Sequence, residues 1–197
     1  MTEKVACVTC GTMILATTAE ANGGECMPCK RGFRKKLEEG KVRAAERKAA
    51  RANPEPATLH WRWLVNEVYR TPSGIGGLSP ANQNFFAAFQ VEGEVYNGGF
   101  EQYFGNSSAN FYAYAVRGLD DIGAVECRDI LIAAKAVLFG AGEVPATQAA
   151  RFPEIEKLGP ARTEALNALD RRFGAAAARM RELGRDYAAK HGLWDGF

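Results

Sequence analysis

The stretch LNALDRRFGAAAARMRELGRDY, residues 166–187, decides the fold class of the larger part of this chain. Leu166, Leu169, Phe173, Ala176, Met180, Leu183 and Tyr187 recur at alternating steps of three and four. That spacing sets them on one stripe of an α-helix and holds the stripe over three heptads. Gly174 and Gly184 lower the helix propensity there by about 1 kcal/mol each relative to alanine. The small residues at 174–178 let another helix approach closely. Two partners are compatible with such a seam: the rest of the same domain, or a second copy of the chain as a homodimer.

Helical periodicity runs back from this stretch to residue 58. Thr58 is placed to cap a helix carrying Leu59, Trp61, Trp63, Leu64, Val65 and Val68. Residues 71–77 form a loop. Its Gly74-Ile75-Gly76-Gly77 lacks the preceding strand and following lysine of a phosphate cradle. Ser79-Pro80 pairs a hydroxyl cap with proline at the first helical position. The helix it opens holds Phe85, Phe86, Phe89 and Val95, is interrupted at Asn97-Gly98-Gly99, and resumes over Phe100–Phe104. Two more helices are expected near 109–121 and 125–139. The second is apolar nearly all round and is read as the central core helix, with Cys127 a buried, inert thiol. Six glycines and prolines between 140 and 160 predict an irregular connection. No strand pattern follows residue 57, so residues 57–197 read as an all-α, multi-helix domain.

The N-terminus follows different rules. Cys7-Val8-Thr9-Cys10 and Cys26-Met27-Pro28-Cys29 stand fifteen residues apart, the C-x2-C-x15-C-x2-C spacing of a four-thiolate Zn²⁺ site. Four thiolates close a tetrahedron with no position left for water, so such a metal is structural. Residues 12–18 have the β-branched content of a short strand, and Asn22-Gly23-Gly24 supplies a turn. Residues 1–32 thus read as a small β zinc ribbon, too small for an adequate core, in which the metal supplies the missing stability.

Residues 33–56 make a charged helical connector ending in a proline-containing linker. Only Leu37 and Val42 are substantial apolar residues in it, and Glu39 and Arg43 stand in the favourable i, i+4 order. Either it is a solvated connector, or residues 30–51, with Lys30, Arg31, Arg34, Lys35 and Lys36 directly after the second cysteine pair, contact nucleic acid. Residues 1–56 carry eleven basic against seven acidic residues, and residues 57–197 fourteen against sixteen. The near-neutral larger domain is therefore no whole-domain match to nucleic acid. No apolar run reaches the ~20 residues of a membrane span. The first thirty positions hold no signal-peptide core, and paired cysteines favour metal over disulfide, so a cytoplasmic setting is expected.

Little in the sequence points to catalysis. His60 and His191 stand at opposite ends of the helical domain and read as surface or helix-end residues. The one unusual polar cluster is Glu92, Glu94, Tyr96, Asn97, Glu101, Gln102, Tyr103, Asn106 and Ser107. Glu94 and Glu101, set across the bend that Asn97 begins, are the pair an acid–base or metal site would use. The competing reading gives the amides of Asn97, Gln102 and Asn106 the work of satisfying backbone groups freed where the helix breaks.

The segment VYNGGFEQYFGNSS, residues 95–108, resembles the signature of the DNA-mimic protein C-terminal domain family, an all-helical bacterial family. Asn97, Gly98, Gly99 and Phe100, then Glu101, Gln102, Tyr103 and Asn106, carry the likeness, and the region of Ala168-Leu169-Asp170 fits the same arrangement. The resemblance covers roughly residues 58–190 and excludes the ribbon and the basic helix. It implies a helical fold, a dimer, and protein binding, with surface carboxylates standing in for DNA phosphates in the mimic member. Sixteen acidic against fourteen basic residues depart from that last feature.

The expectation is a non-enzymatic, zinc-containing binding or adaptor protein. Its helical domain recognises a protein partner through the 97–106 motif, with nucleic-acid contact by the ribbon and basic helix. The alternatives are a DNA mimic that occupies a transcription factor's DNA-binding face, and an enzyme using Glu94, Asn97 and Glu101.

Overall fold

The computed structural model describes residues 3–197. The chain divides between Glu55 and Pro56 into two compact units.

In the first unit, β1 (Lys4–Ala6) pairs antiparallel with β2 (Met13–Leu15), Val5 opposite Ile14. The strand expected over 12–18 is shorter than its composition suggests. From Ala16 the chain turns into α1 (Ala16–Ala21), whose alanines and glutamate favour helix once the two-stranded pairing runs out. Asn22 donates from Nδ2 to the Thr18 carbonyl at 2.8 Å and ends it. The one-turn α2 (Met27–Lys30) contains the second cysteine pair's tail, and α3 (Arg34–Ala52) follows. None of the nineteen residues of α3 is buried. Its order leans on propensity and on pairs such as Arg34–Glu38 at 3.4 Å and Arg43–Glu39 at 4.0 Å.

The second unit is all helix among the described residues: α4 (Pro56–Arg70), α5 (Pro80–Gly105), α6 (Tyr112–Asp121), α7 (Val125–Phe139), α8 (Gln148–Glu156) and α9 (Pro160–Lys190), with 3₁₀ turns at Gly74–Gly77 and Ser107–Phe111. Helix α4 opens at Pro56, ahead of Thr58, because proline's fixed φ suits the first helical position. Ser79 caps α5 as expected, its Oγ accepting from the Asn82 N–H.

The helix at the centre is α5 and not α7. It packs against α4, α6, α8 and α9 and buries Phe85, Phe86, Val91, Val95, Phe100, Tyr103 and Phe104. On α7, Ile130, Leu131, Ala134 and Leu138 face inward, while Val125 and Ile132 are exposed. The aromatic rings of the core meet edge to face, Phe100 with Phe173 at 5.6 Å and Phe104 with Phe139 at 5.4 Å. The α9 seam is spent inside the domain. Leu166, Phe173 and Met180 are almost fully buried in a helix packed on α5 and α7, so a homodimer has to use another face.

Residues 140–160 are not an irregular connection throughout. Helix α8 forms there with Pro153 inside it. Thr147 caps it, Oγ1 accepting from the Ala150 N–H at 3.2 Å, and the buried Arg151 anchors it to the core. That fixation outweighs the one helical hydrogen bond that the proline removes. No described helix is long and apolar enough to cross a membrane.

Candidate functional site

Two places gather chemistry. In the first unit the Sγ atoms of Cys7, Cys10, Cys26 and Cys29 all lie within 4.8 Å of one another. The Cys7 N–H donates to the Thr12 carbonyl at 2.9 Å and the Gly11 N–H returns to the Cys7 carbonyl at 2.8 Å, closing the first knuckle. The Lys30 N–H closes the second on Cys26 O at 3.0 Å. The Cys26 N–H also donates to Cys7 Sγ at 3.2 Å, a bond that favours a thiolate.

Cys7, Cys10 and Cys29 are shifted in different directions. Cys7 is pulled down, chiefly by that backbone N–H. Cys10 is pulled down to about 6, chiefly by the Thr12 hydroxyl. Cys29 is pushed up, by burial first and then by its sulfur neighbours. Four sulfurs this close cannot all ionise by themselves, and a divalent cation removes the conflict. A Zn–S bond of about 2.3 Å implies sulfur–sulfur edges of ~3.8 Å; Cys10 and Cys26 already stand 3.7 Å apart. The donor set fits a metal ion.

The second place is the break in α5. Gly98 (φ −167°, ψ 27°) and Gly99 (φ 74°, ψ −175°) leave helical geometry and split the helix into two rods. Gly99 lies in the left-handed region, and a Cβ there would collide with the Asp170 carboxylate. That carboxylate accepts the Phe100 N–H at 2.8 Å, one of the donors the break sets free. Burial raises the Asp170 pKa, while the Phe100 N–H and Arg171 oppose the rise.

The amides act differently from the backbone-satisfying role expected of them. Gln102 Nε2 and Asn106 Nδ2 both donate to Glu94 Oε2, at 2.7 and 2.9 Å. Ser108 Oγ donates to Glu94 Oε1 at 2.6 Å. Glu94, on the first rod, thereby holds three side chains of the second rod and its 3₁₀ extension. Phe100 and Tyr103 are fully buried, the Tyr103 hydroxyl has no hydrogen-bond partner among the described residues, and burial raises its pKa. Asn97 and Gly98 are exposed and Glu101 is half-buried. A shallow depression of about 490 Å³ runs past Gln90, Gly93, Glu94, Tyr96 and Asn97.

The far end of α5 is held by a residue that the sequence pattern hides. Arg151 is wholly buried and donates to Phe104 O at 2.7 Å, Asn106 O at 2.8 Å, Pro145 O at 2.8 Å and Asn110 Oδ1 at 2.9 Å. A guanidinium thus meets the negative end of the helix and satisfies its last carbonyls. His60 is the other surprise. It is buried, not at the surface, against Trp63 and Phe85, with Nε2 2.8 Å from Asn82 Oδ1, and burial lowers its pKa. His191 is exposed at the end of α9. Cys127 is buried and pushed up to about 12, chiefly by burial.

The break, its glycines and its Asp170 partner lie in a stretch that a family model recognises. The model of the DMP19-like protein family matches residues 76–191. The chain belongs to this family. The match takes in α5 to α9 and leaves out the four-cysteine unit. No curated protein and no solved structure matches the chain. Within this DMP19-like region the acidic side chains do not form one unbroken field. Near the α6–α7 turn Arg128 pairs with both Asp120 and Asp129, and Lys157, Arg171 and Arg179 pair with Glu154, Glu164 and Glu182.

Proposed function

We propose that this chain is a non-enzymatic, cytoplasmic binding protein of two modules. The N-terminal module is built on structural Zn²⁺ held by Cys7, Cys10, Cys26 and Cys29. The DMP19-like module recognises a protein partner through the surface around the α5 break, with Asn97, Gly98 and Glu101 at the contact and Gly99, Phe100, Gln102, Tyr103 and Asn106 holding its shape.

The observation that carries this reading is the use made of Glu94. Both of its oxygens accept hydrogen bonds from Gln102, Asn106 and Ser108, so the carboxylate is committed to the shape of the break rather than free for proton transfer. What stays at the surface is the ring of Tyr96 beside the amide of Asn97 and the bare backbone of Gly98, and exposed aromatic rings are enriched in interfaces. The basic α3 adds a candidate nucleic-acid contact over residues 30–51, and a second copy of the chain is a candidate partner as well.

A second reading, that the partner is a DNA-binding protein whose DNA face the helical module occupies, is favoured by the family itself. The exposed Asp120, Asp121, Glu126 and Asp129 are the carboxylates it would use, and Arg128 among them weakens the likeness to a phosphate row. The two readings separate in one experiment. Partners captured on the full-length chain are challenged with duplex DNA. Release by DNA assigns mimicry, and retention assigns protein recognition by a surface unrelated to DNA. Absence of any saturable protein partner refutes both.

A further inference from the structure

On the outer side of α5 an open cavity of about 360 Å³ is lined by Ala57, Trp61, Phe85, Phe89, Glu92 and Tyr96. Its floor is set by a close approach. The Phe89 ring lies against Gly184 of α9, where a Cβ would collide with it. Glu92 is only 9% exposed, among aromatic side chains. Arg181 faces it, Nη1 standing 3.2 Å from Glu92 Oε1. The same guanidinium sits 5.4 Å from the centroid of the Tyr96 ring and donates from Nη2 to Tyr96 Oη at 3.2 Å. Tyr96 is itself 57% exposed.

We propose that this cavity binds an arginine or lysine side chain of a protein partner, and that Arg181 is the chain's own cation, displaced when the partner's arrives. The inference rests on the reading of the helical domain as a protein-recognition module. Aromatic faces attract a cation through their quadrupole, most strongly where water is excluded. A carboxylate on the same wall adds direct charge complementarity, and its burial among the rings strengthens the pair. A neutral apolar guest gains the contact with the rings but makes no use of the Glu92 carboxylate, which Arg181 already meets; only a cation can take the place of Arg181 there. The arrangement of Arg181 over Tyr96 and beside Glu92 is the chemistry of the expected complex carried out within the chain. Burial raises the Glu92 pKa and Arg181 opposes the rise, as one cation near a buried carboxylate should.

The test uses the full-length chain and two short peptides, acetyl-Gly-Arg-Gly-amide and its citrulline counterpart, which keeps the shape and loses the charge. Titration is followed by the indole N–H resonance of Trp61. The arginine peptide should shift that resonance, with the citrulline peptide at least about tenfold weaker. Glu92→Gln should reduce the arginine peptide to the citrulline level. Arg181→Ala removes an exposed competitor and should tighten arginine binding by roughly threefold or more, as expected when the competent state becomes fully populated. Equal binding of the two peptides, no response of Trp61, or weaker binding in Arg181→Ala overturns the proposal. The peptide comparison and Arg181→Ala keep the test decisive should Glu92→Gln fail to fold. Capture of the protein partner on the Glu92→Gln chain separates the two levels. A partner retained at full yield by Glu92→Gln, with the wild type failing to discriminate between the peptides, sinks the cavity assignment alone; discrimination by the wild type with no saturable protein partner sinks the wider reading alone.

Discussion

Asp170 on α9 accepts the backbone N–H of Phe100 on α5 at 2.8 Å, joining positions seventy residues apart. The bond sits where Gly98 and Gly99 break α5, so one carboxylate answers for a donor that no helical carbonyl can reach. It also explains why Gly99 faces α9 without a side chain.

Asp170→Ala should therefore destabilise the helical domain by about 1–3 kcal/mol, the cost of a buried donor left unpaired. Gly99→Ala should cost a similar ~1–3 kcal/mol through backbone strain, before the collision with Asp170 is added. Both are read by urea denaturation monitored at the helical circular dichroism band. An unchanged midpoint for either variant contradicts the assigned role.

The same residue predicts a pH dependence. The folded-state pKa of Asp170 lies above its ordinary 3.8, so the folded form holds the proton more tightly than the unfolded chain. Its contribution is fully present below about 3.8 and is lost as pH rises through the folded-state value. Asp170→Asn keeps an acceptor oxygen and has no charge to desolvate. The Tm of the wild type relative to Asp170→Asn should thus fall as pH rises from below 3.8 toward neutrality. A difference independent of pH refutes this.

Arg151 should be the least replaceable polar residue of the domain. Arg151→Met leaves the acceptors at Phe104, Asn106, Pro145 and Asn110 without their donor. The loss should be about 3–5 kcal/mol, since several buried acceptors are orphaned together. Arg151→Lys should recover only part of it, because a single ammonium cannot span four acceptors set out for a planar fork. Thermal unfolding of the three proteins in parallel checks the order.

In the N-terminal unit, Cys10→Ser should abolish stoichiometric zinc binding and remove the ordered structure of residues 3–32, while the helical domain melts unchanged. Metal content by a chromogenic chelator and residue-level hydrogen exchange provide the two readouts. Zinc retained at one equivalent, or a lowered melting point of the helices, contradicts the separation.

If residues 30–51 bind nucleic acid, affinity should fall steeply with salt, with a slope on a log–log plot of roughly −0.9 for each phosphate neutralised on duplex DNA. Fluorescence anisotropy between low and physiological salt gives the slope. Undetectable or salt-independent binding removes nucleic acid from the list of α3 partners.

The sequence was most legible where structure is local. The cysteine spacing, the Ser79-Pro80 start, the Asn97-Gly98-Gly99 break and the α9 stripe each depend on residues a few positions apart. The Glu94 clamp is half visible in the sequence: Glu94, Gln102 and Asn106 stand in the polar cluster, but the amides are expected to meet the backbone and the cluster ends at Ser107, one short of Ser108. Arg151 was hidden, because its acceptors at Phe104 and Asn106 lie 47 and 45 residues away and no periodicity marks a buried cation. Helix α8 was masked by the glycines and prolines around it, although Thr147 before Gln148 was a usable capping signal. His60 was misplaced for the same reason as Arg151. What encloses it is Phe85 and Phe197, side chains far along the chain.

The central claim is that recognition resides in the helical domain and that the metal holds together a separate module. The most direct measurement is quantitative affinity purification with full-length wild type against the Cys7→Ser/Cys10→Ser variant, scored by mass spectrometry. The principal protein partner should be retained at full yield by the variant. Its loss together with the zinc site would place recognition in the ribbon and contradict the account.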